Sequence, residues 1–250
     1  MSLIWAVKAE CLKYKKTSFY LIHFLIPLTG AIVMWLYLKG AGWGVEGALI
    51  GYLSIVASAF PFMIAVVTEI AIQREEQSSF LLLLSAPSRR NVFLAKYLIL
   101  NFWGALAAFL SIAAFLALEQ VQISVWLFMA IFGALVLQNL LLYLIHMFLS
   151  LQFGKSVSIF WGICGTIISM IFLTGLGERI WRFAPQSWGA RLCNYLLVLF
   201  FTPQGGDAAQ KKIMLLELDT FPAYAGTELL VCIGLLCIWF MRWEGRRVYQ

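Results

Sequence analysis

The sequence predicts an all-α membrane protein with six transmembrane helices, and three observations carry this prediction. Apolar residues make up 62% of the 250 residues and charged residues only 12%, whereas a soluble domain contains about 25% charged residues. Six apolar segments are long enough to cross a hydrocarbon core of about 30 Å at about 1.5 Å per residue. The charged side chains lie mainly between these segments, because a charge at the centre of a membrane helix costs about 2.5–3.5 kcal/mol.

The six predicted spans belong to one domain that covers residues 1–250. Short polar turns join most of the spans, so neighbouring spans run antiparallel. Two connections are longer: residues 68–96 between the second and third spans, and residues 178–220 between the fifth and sixth. The spans are residues 19–38, 47–67, 97–118, 125–150, 156–177 and 221–241.

The segment 1–18 mixes apolar and basic positions with the spacing of a helix. It predicts an amphipathic helix that lies in the membrane interface, with its lysines toward the lipid headgroups. A basic flank that only precedes the first span is the alternative interpretation. The expected apolar face consists of Leu3, Ile4, Val7 and Cys11, with Trp5 as the interfacial anchor.

The charges between the spans predict the orientation of the chain. Twelve Lys and Arg and five Asp and Glu fall on the side that holds both termini, whereas six and seven fall on the other side. The basic side of a membrane protein is generally cytoplasmic. Both termini, the 68–96 connection and the loop at Lys155 are therefore predicted to be cytoplasmic. The net charge of +6 does not indicate binding to nucleic acid, since it follows from this bias.

The 68–96 connection gathers charges between two apolar spans and is therefore predicted to lie outside the lipid. A run of leucines interrupts the charges, and Lys96 is expected to snorkel at the end of the third span. Across the bilayer, the run Leu192–Phe201 is too short to span and is flanked by Arg191 and Pro203. Such a run predicts a re-entrant or interfacial helix. The charges of 68–96 are Glu69, Arg74, Glu75, Glu76, Arg89, Arg90 and Lys96.

The sequence offers no catalytic or metal-binding pattern. Gly154-Lys155-Ser156 resembles part of a phosphate-binding loop, but Leu149 occupies the position that the motif requires to be glycine. The cysteines have no metal-ligand spacing. His23 and His146 are expected to be hydrogen-bonded packing residues. No catalytic residue, metal ligand or bound cofactor is therefore predicted for this chain.

Polar residues within the predicted membrane region have two open interpretations. They join helices through hydrogen bonds, or they line a path through the bundle. Glu228 is the sharpest case, since it lies within the last span, although an interfacial position for it is also open. The candidates for a substrate path or outer gate are Glu228, Asn101, Gln138, Asn139 and Tyr195.

The chain resembles the ABC-2 class of ABC-transporter permeases over its whole length. The resemblance rests on the six spans and on Glu75, the Leu81–Leu84 run, Pro87, Arg89 and Lys96 in the second connection. With the start Glu10, Leu12, Lys13 and Lys15 and the length near 250, the chain resembles lantibiotic-immunity permeases of the E/G type. The resemblance implies a type V exporter-like fold with a cytoplasmic coupling helix and an extracytoplasmic re-entrant segment, in a bacterial cell membrane.

The resemblance also implies partners. ATP and magnesium would bind to two copies of a separate ATPase, and a second related permease or another copy of this chain would complete the pathway. The cargo would be a lantibiotic or similar peptide antibiotic, expelled from the membrane to give immunity. A second coupling loop would be Gln152, Phe153, Gly154 and Lys155. The ATPase-docking residues would be Arg74, Glu75, Glu76, Gln77, Ser78, Ser79 and Phe80.

Two alternatives stay open at the level of sequence. One is an ABC-2 permease for a different substrate, such as a bacitracin-like antibiotic or a lipid. The other is a secondary transporter that needs no partner and depends on Glu228.

Overall fold

A computed structural model describes residues 2–14, 18–178, 180–202 and 208–245. These residues contain α-helices and short 3-10 turns but no strand. Three 3-10 turns, which begin at Gly175, Trp181 and Pro185, connect α7 to α8. The helices are α1 Leu3–Tyr14, α2 Ser18–Gly40, α3 Val45–Gln77, α4 Leu81–Leu84, α5 Arg89–Glu119, α6 Val125–Gln152, α7 Lys155–Phe172, α8 Trp188–Phe201 and α9 Ala208–Arg242.

Six of these helices are long and apolar enough to cross a membrane: α2, α3, α5, α6, α7 and α9. This confirms the predicted all-α fold with six spans. Three helices extend well beyond the predicted spans, since α3 continues to Gln77, α5 begins at Arg89 and α9 begins at Ala208. In contrast, α7 ends at Phe172, five residues before the predicted end of the fifth span. Thr174 there adopts an extended backbone and its side chain accepts a hydrogen bond from the Leu176 N–H, which starts a 3-10 turn.

Helix α3 lies at the centre of the bundle and packs against α2, α6, α7 and α8. Small residues allow its closest contact, because a Cβ at Gly162 of α7 would lie 2.7 Å from the Cβ of Ala65. Large rings fill other contacts: Tyr52 of α3 and Phe115 of α5 stack with centroids 3.8 Å apart. Tight packing of this kind holds helices together where the surrounding lipid is as apolar as the side chains.

Helix α1 packs on α5 through one buried face. That face consists of Ala6, Glu10 and Tyr14, spaced four residues apart. Of the predicted apolar positions, Leu3, Ile4 and Cys11 face outward, as does the predicted anchor Trp5, whereas Val7 is half-buried and packs against the bundle. The helix therefore has an apolar outer surface available to lipid and a second, polar surface turned toward the bundle. Lys15 and Lys16 lie outside the described residues.

Two ends of the bundle can be distinguished by their contacts. At the first, here called the α1 end, Lys13 of α1 pairs with Glu75 near the end of α3, and the α3–α5 connection meets the residue that follows α9, with the Phe80 and Trp243 rings 5.1 Å apart. The second, here called the α8 end, holds the α2–α3 turn, where Lys39 pairs with Glu119 at 2.9 Å. Helix α8 enters the bundle from this end and packs against α3 and α6. It includes the short apolar run that was predicted to be re-entrant; the flanking Pro203 lies outside the described residues.

Candidate functional site

The α3–α5 connection is a tight turn that is held by backbone and side-chain contacts. Helix α3 ends at Gln77, and Ser79 and Phe80 follow with φ angles of 51° and 60°. The left-handed region is unfavourable for a residue with a side chain, so other contacts must hold the turn. The Phe80 N–H donates to the Glu75 carbonyl at 2.7 Å, and the Ser78 hydroxyl donates to the same oxygen at 2.9 Å. The four-residue helix α4 then leads into α5.

Aromatic and arginine contacts fasten this turn to the end of α9. Phe80 is buried, and its ring meets Trp243 edge to face. The Trp243 ring in turn stacks on Phe240 with centroids 5.7 Å apart. Arg89 connects α4 to the residue that follows α9. Its guanidinium donates to the Leu84 carbonyl at 3.2 Å and to the Trp243 carbonyl at 3.0 Å. The connection is thereby held on the body of the bundle.

Beneath the turn, Lys96 of α5 is buried with its ammonium between two carboxylates. Its Nζ lies 3.0 Å from Glu75 Oε1 and 3.1 Å from Glu10 Oε2. Both glutamates are 1% exposed, and Lys96 is 2% exposed. The ammonium also reaches the Ala71 carbonyl at 3.4 Å. The predicted snorkelling of Lys96 is therefore wrong: the side chain turns inward because α1 brings a second carboxylate to it.

Lys13 closes these charges into a ring. Its Nζ lies 2.7 Å from Glu10 Oε1 and 2.6 Å from Glu75 Oε1. Two ammonium groups and two carboxylates thus alternate, so the ring carries no net charge. Glu10, Glu75 and Lys96 are buried and Lys13 is half-buried. Burial of charges is unfavourable unless each finds opposite charges and hydrogen bonds, and three helices, α1, α3 and α5, must come together to supply them. The four residues Glu10, Lys13, Glu75 and Lys96 are called the charge ring below.

Two further groups support the charge ring. The Tyr14 hydroxyl lies 3.5 Å from both Lys96 Nζ and Glu10 Oε2. Burial raises the pKa of Tyr14 to about 12, with the Lys96 ammonium opposing that effect. Arg74 donates to the Lys13 carbonyl at the last turn of α1, where helix carbonyls lack partners within the helix and attract cations.

The predicted docking residues therefore fall into two groups. Glu75 and Phe80 point inward and hold the connection. Ser78 is half-buried and its hydroxyl caps the end of α3. Glu76 is also half-buried. The exposed members are Arg74, Gln77 and Ser79, and the neighbouring Leu81 is 65% exposed.

The predicted second coupling loop lies at the α1 end and forms a sharp turn between α6 and α7. Gly154 has φ of +95°, a conformation that glycine adopts without a Cβ penalty. The side chains of Gln152, Phe153 and Lys155 are exposed. The Phe153 ring nevertheless keeps an edge contact with Phe148, at 5.9 Å between centroids.

Gln138 joins α3, α6 and α8 in the interior of the bundle. Pro61 has no N–H, so the Ala57 carbonyl four residues earlier lacks its usual donor. The Gln138 amide N–H₂ donates to this carbonyl at 2.9 Å, and its Oε1 accepts from the Gly189 N–H in the first turn of α8. Two backbone groups that secondary structure leaves unpaired are thereby satisfied by one side chain.

The other predicted path residues do not converge on Gln138. Asn139 is buried, and neither of its amide atoms has a partner among the described residues. Asn101 donates to the Tyr97 carbonyl at 2.8 Å within α5. Tyr195 of α8 lies against Arg191, whose guanidinium is 5.8 Å from the ring centroid. Glu228 is half-buried on α9.

Sequence reasoning did not predict that Glu10 and Lys13 contact Glu75 and Lys96. A signal was present, because Glu10 lies one helical turn from both Ala6 and Tyr14, on the face of α1 that a partner helix buries. In the part of the chain that the structure describes, no group of three His, Cys, Asp or Glu residues could hold a metal ion. The connection is supported from beneath by the charge ring.

Six membrane-length helices joined by short connections are the architecture of a multi-pass membrane protein. Residues 6–177 match the family described as ABC-2 family transporter protein. The match covers more than half of the 250 residues, so the chain belongs to this family. It is a multi-pass transport subunit of an ABC system, and its family implies association with an ABC ATPase. Neither curated proteins nor solved structures gave a match.

Proposed function

We propose that this chain docks an ABC ATPase through the exposed surface of the α3–α5 connection. The observation that carries this proposal is the division of the connection into a buried support and an exposed surface. Glu75 and Phe80 fix the backbone, while Gln77, Ser79 and Leu81 project outward. Leu81 is 65% exposed and lies beside polar residues. Such a residue is suited to the centre of an interface, where an apolar anchor is enclosed by a polar rim.

Force on this surface would reach two helices at once. Helices α3 and α5 continue directly from the connection into the bundle, and the charge ring ties both to α1. ATP-driven closure of two ATPase subunits would therefore move α1, α3 and α5 together and shift the balance between conformations. The Gln152–Lys155 loop, also at the α1 end, would provide a second contact.

We further propose that the α1 end is cytoplasmic, in a bacterial cell membrane, and that a second permease chain completes the pathway. The cargo would be a lantibiotic or similar cationic peptide antibiotic, expelled to give immunity. The resemblance of the second connection and of the chain's N-terminal segment to lantibiotic-immunity permeases supports this cargo, as does the small acidic surplus on the other side. A bacterium that loses the chain should then become sensitive to one such peptide and keep its resistance to unrelated antibiotics.

The docking proposal is tested by co-expression with the ABC ATPase and purification through a tag on the permease. Leu81→Asp should abolish co-purification and peptide-stimulated ATP hydrolysis, because it places a charge at the apolar centre of the interface. The matched control is Leu176→Asp, which changes an equally exposed leucine at the α8 end. Full ATPase recovery with Leu81→Asp would contradict the proposal. Glu75→Lys is unsuitable for this test, since it would disrupt the charge ring whether or not Glu75 meets the ATPase.

A further inference from the structure

A cavity of about 240 Å³ lies between α2, α3, α5 and α6, away from the docking surface. Small residues leave this space, among them Gly30, Ala59 and Ala107. Along α2 the lining extends from Ile22 to Met34, a rise of about 18 Å for an α-helix. That length is a little over half of a hydrocarbon core of about 30 Å, so the cavity is roughly as deep as one lipid leaflet.

The cavity can be reached from the side of the bundle. Ile26 of α2 and Ile55 of α3 both line it and are 42% and 41% exposed. Both helices are long and apolar enough to span a membrane, so the medium at this opening is lipid rather than water. An apolar cavity does not hold ordered water well, since water needs polar partners. An apolar chain from the surrounding lipid is the natural occupant.

One polar group in the lining has an unused atom. The Tyr52 hydroxyl donates to the Ser111 carbonyl at 2.9 Å and lies 2.6 Å from the Ser111 hydroxyl, so these two groups satisfy each other. His23 is 3% exposed, and its Nδ1 lies 2.7 Å from the Phe19 carbonyl. Its Nε2 has no partner among the described residues and is enclosed by neighbouring atoms, so a ligand reaches it only when those atoms move.

The bond to Phe19 determines what His23 can bind. A carbonyl oxygen only accepts, so Nδ1 carries the proton and donates it. A charged imidazolium buried among apolar side chains without a counter-ion is strongly unfavourable, so the ring is neutral and Nε2 is an acceptor. A matching ligand must therefore present a hydrogen-bond donor, such as a hydroxyl group. An ester or ether oxygen would not satisfy Nε2.

We propose that this cavity binds a membrane amphiphile with one apolar chain and a neutral hydroxyl end. The chain would lie along α2 and α3 from Ile22 toward Met34, and the hydroxyl would donate to His23 Nε2 at the α1 end of the cavity. The amphiphile would enter between Ile26 and Ile55 from the lipid. This binding site is separate from the ATPase-docking surface and does not depend on the proposed cargo.

A photoreactive monoacylglycerol with a diazirine in its acyl chain tests this proposal on the full chain in membrane vesicles. Peptides of α2 and α3 that line the cavity should be labelled. Gly30→Leu should abolish that labelling, because Gly30 lines the cavity and a Cβ there meets no atom within 4 Å, so the side chain can fill the space without strain. Gly133→Leu is the matched control, since Gly133 is equally free of close neighbours but lies outside the cavity. Ala59→Leu is a second filling variant.

The hydroxyl requirement is tested by the dimethyl ether of the same probe, in which both glycerol hydroxyls are capped and no donor remains. The alcohol should label about five- to tenfold more strongly than the ether, as expected for one hydrogen bond of about 1 kcal/mol, and His23→Leu should remove this preference. Unchanged labelling in both filling variants would overturn the proposal, since the probe would then touch only the outer surface. Equal labelling by alcohol and ether would overturn the role of His23. If two Ile55→Cys chains form a disulfide with each other and the probe does not label the cavity, a second copy of the chain covers the cavity. That result would also overturn the proposal.

Discussion

The α3–α5 connection and the junction of α6 with α8 solve the same problem with different chemistry. Each must hold an irregular piece of backbone against the bundle. The connection uses four charged side chains in the charge ring, whereas the junction uses the neutral amide of Gln138. Charges can be buried at the α1 end because each ammonium lies within 3.1 Å of two carboxylates. A neutral amide has a smaller desolvation cost and needs only two backbone partners.

The two regions respond differently to the loss of a side chain. Removal of one member of the charge ring leaves an uncompensated buried charge, which is strongly destabilising. Removal of the Gln138 amide leaves two neutral backbone groups unpaired, which costs less. The connection is therefore the more sensitive of the two, although it lies at the end of the bundle.

Lys96→Met should have the largest effect. It leaves Glu10 and Glu75 with only Lys13 between them, and breaking a buried pair in this way costs about 3–5 kcal/mol. The midpoint of thermal unfolding in detergent should fall by roughly 10 °C, given about 2–4 °C per kcal/mol for a chain of this size. Lys155→Met, at an exposed lysine of the same end, should leave the midpoint unchanged.

Glu75→Gln tests whether an unpaired buried carboxylate causes the loss of stability in Lys96→Met. Combined with Lys96→Met, it should recover part of the stability, because one buried carboxylate is then neutral. A Lys96→Met chain as stable as the Lys155→Met control would show that the charge ring does not exist in the folded protein.

Gln138→Leu should have the next largest effect, about 2–3 kcal/mol, because the Ala57 carbonyl and the Gly189 N–H lose their partner. Helix α8 should then separate from α6 more often. Cys193 of α8 is fully buried, so its reaction with a maleimide, in a chain whose other four cysteines are alanine, reports this separation. The reaction should be faster than in the parent chain. An unchanged rate would mean that Gln138 does not hold α8.

Tyr14→Phe should have a small effect near neutral pH, below about 1 kcal/mol, since its hydrogen bonds to the charge ring are long. The difference in stability between Tyr14→Phe and the parent chain should become larger at alkaline pH. The pKa of Tyr14 is raised by burial to about 12, so the folded state retains a proton that the unfolded state loses. The contribution of the protonated Tyr14 hydroxyl to the free energy of unfolding is complete below pH 10, the ordinary pKa of tyrosine. It is lost as pH rises through the pKa of Tyr14 in the folded state. The loss of stability between these values should be smaller in Tyr14→Phe; an identical alkaline profile would contradict the buried position of Tyr14.

Asn139→Leu should have the smallest effect on stability and serves as the neighbouring control for Gln138. Neither Asn139 amide atom has a partner among the described residues, so an apolar side chain of similar shape loses no hydrogen bond there. The midpoint of thermal unfolding should be unchanged or slightly raised. If transport nevertheless stops in this variant, Asn139 acts on the substrate path; a large fall in the midpoint would show that it has a structural partner.

Much of the fold could be predicted from the sequence because a bilayer admits few solutions. Lipid-exposed backbone must pair within its own helix, so six long apolar segments indicate six helices. The ends of α3 and α5 were less predictable. The charges at Arg74 and Glu75 indicated the end of a membrane segment, yet the helix continues because α1 supplies Lys13 as a counter-charge.

The candidate site could be located from the sequence but not divided into support and surface. The charges of the second connection indicated a docking region, whereas the inward turn of Glu75 depends on Lys96, 21 residues away, and on Lys13, 62 residues away. Such pairings follow from how α1 packs on α5, which local spacing does not reveal. The role of Gln138 had a local signal, since Pro61 leaves a carbonyl unpaired, but several polar side chains were available as its partner.

In the proposed complex, the exposed part of the α3–α5 connection contacts the ATPase, while the charge ring only supports it. Photo-cross-linking with a benzophenone amino acid at Gln77, Leu81 or Leu176 in the co-expressed transporter measures this contact directly. We expect cross-links to the ATPase from Gln77 and Leu81 and none from Leu176 at the α8 end. An ATPase cross-linked from Leu176, or from none of the three, would contradict this expectation.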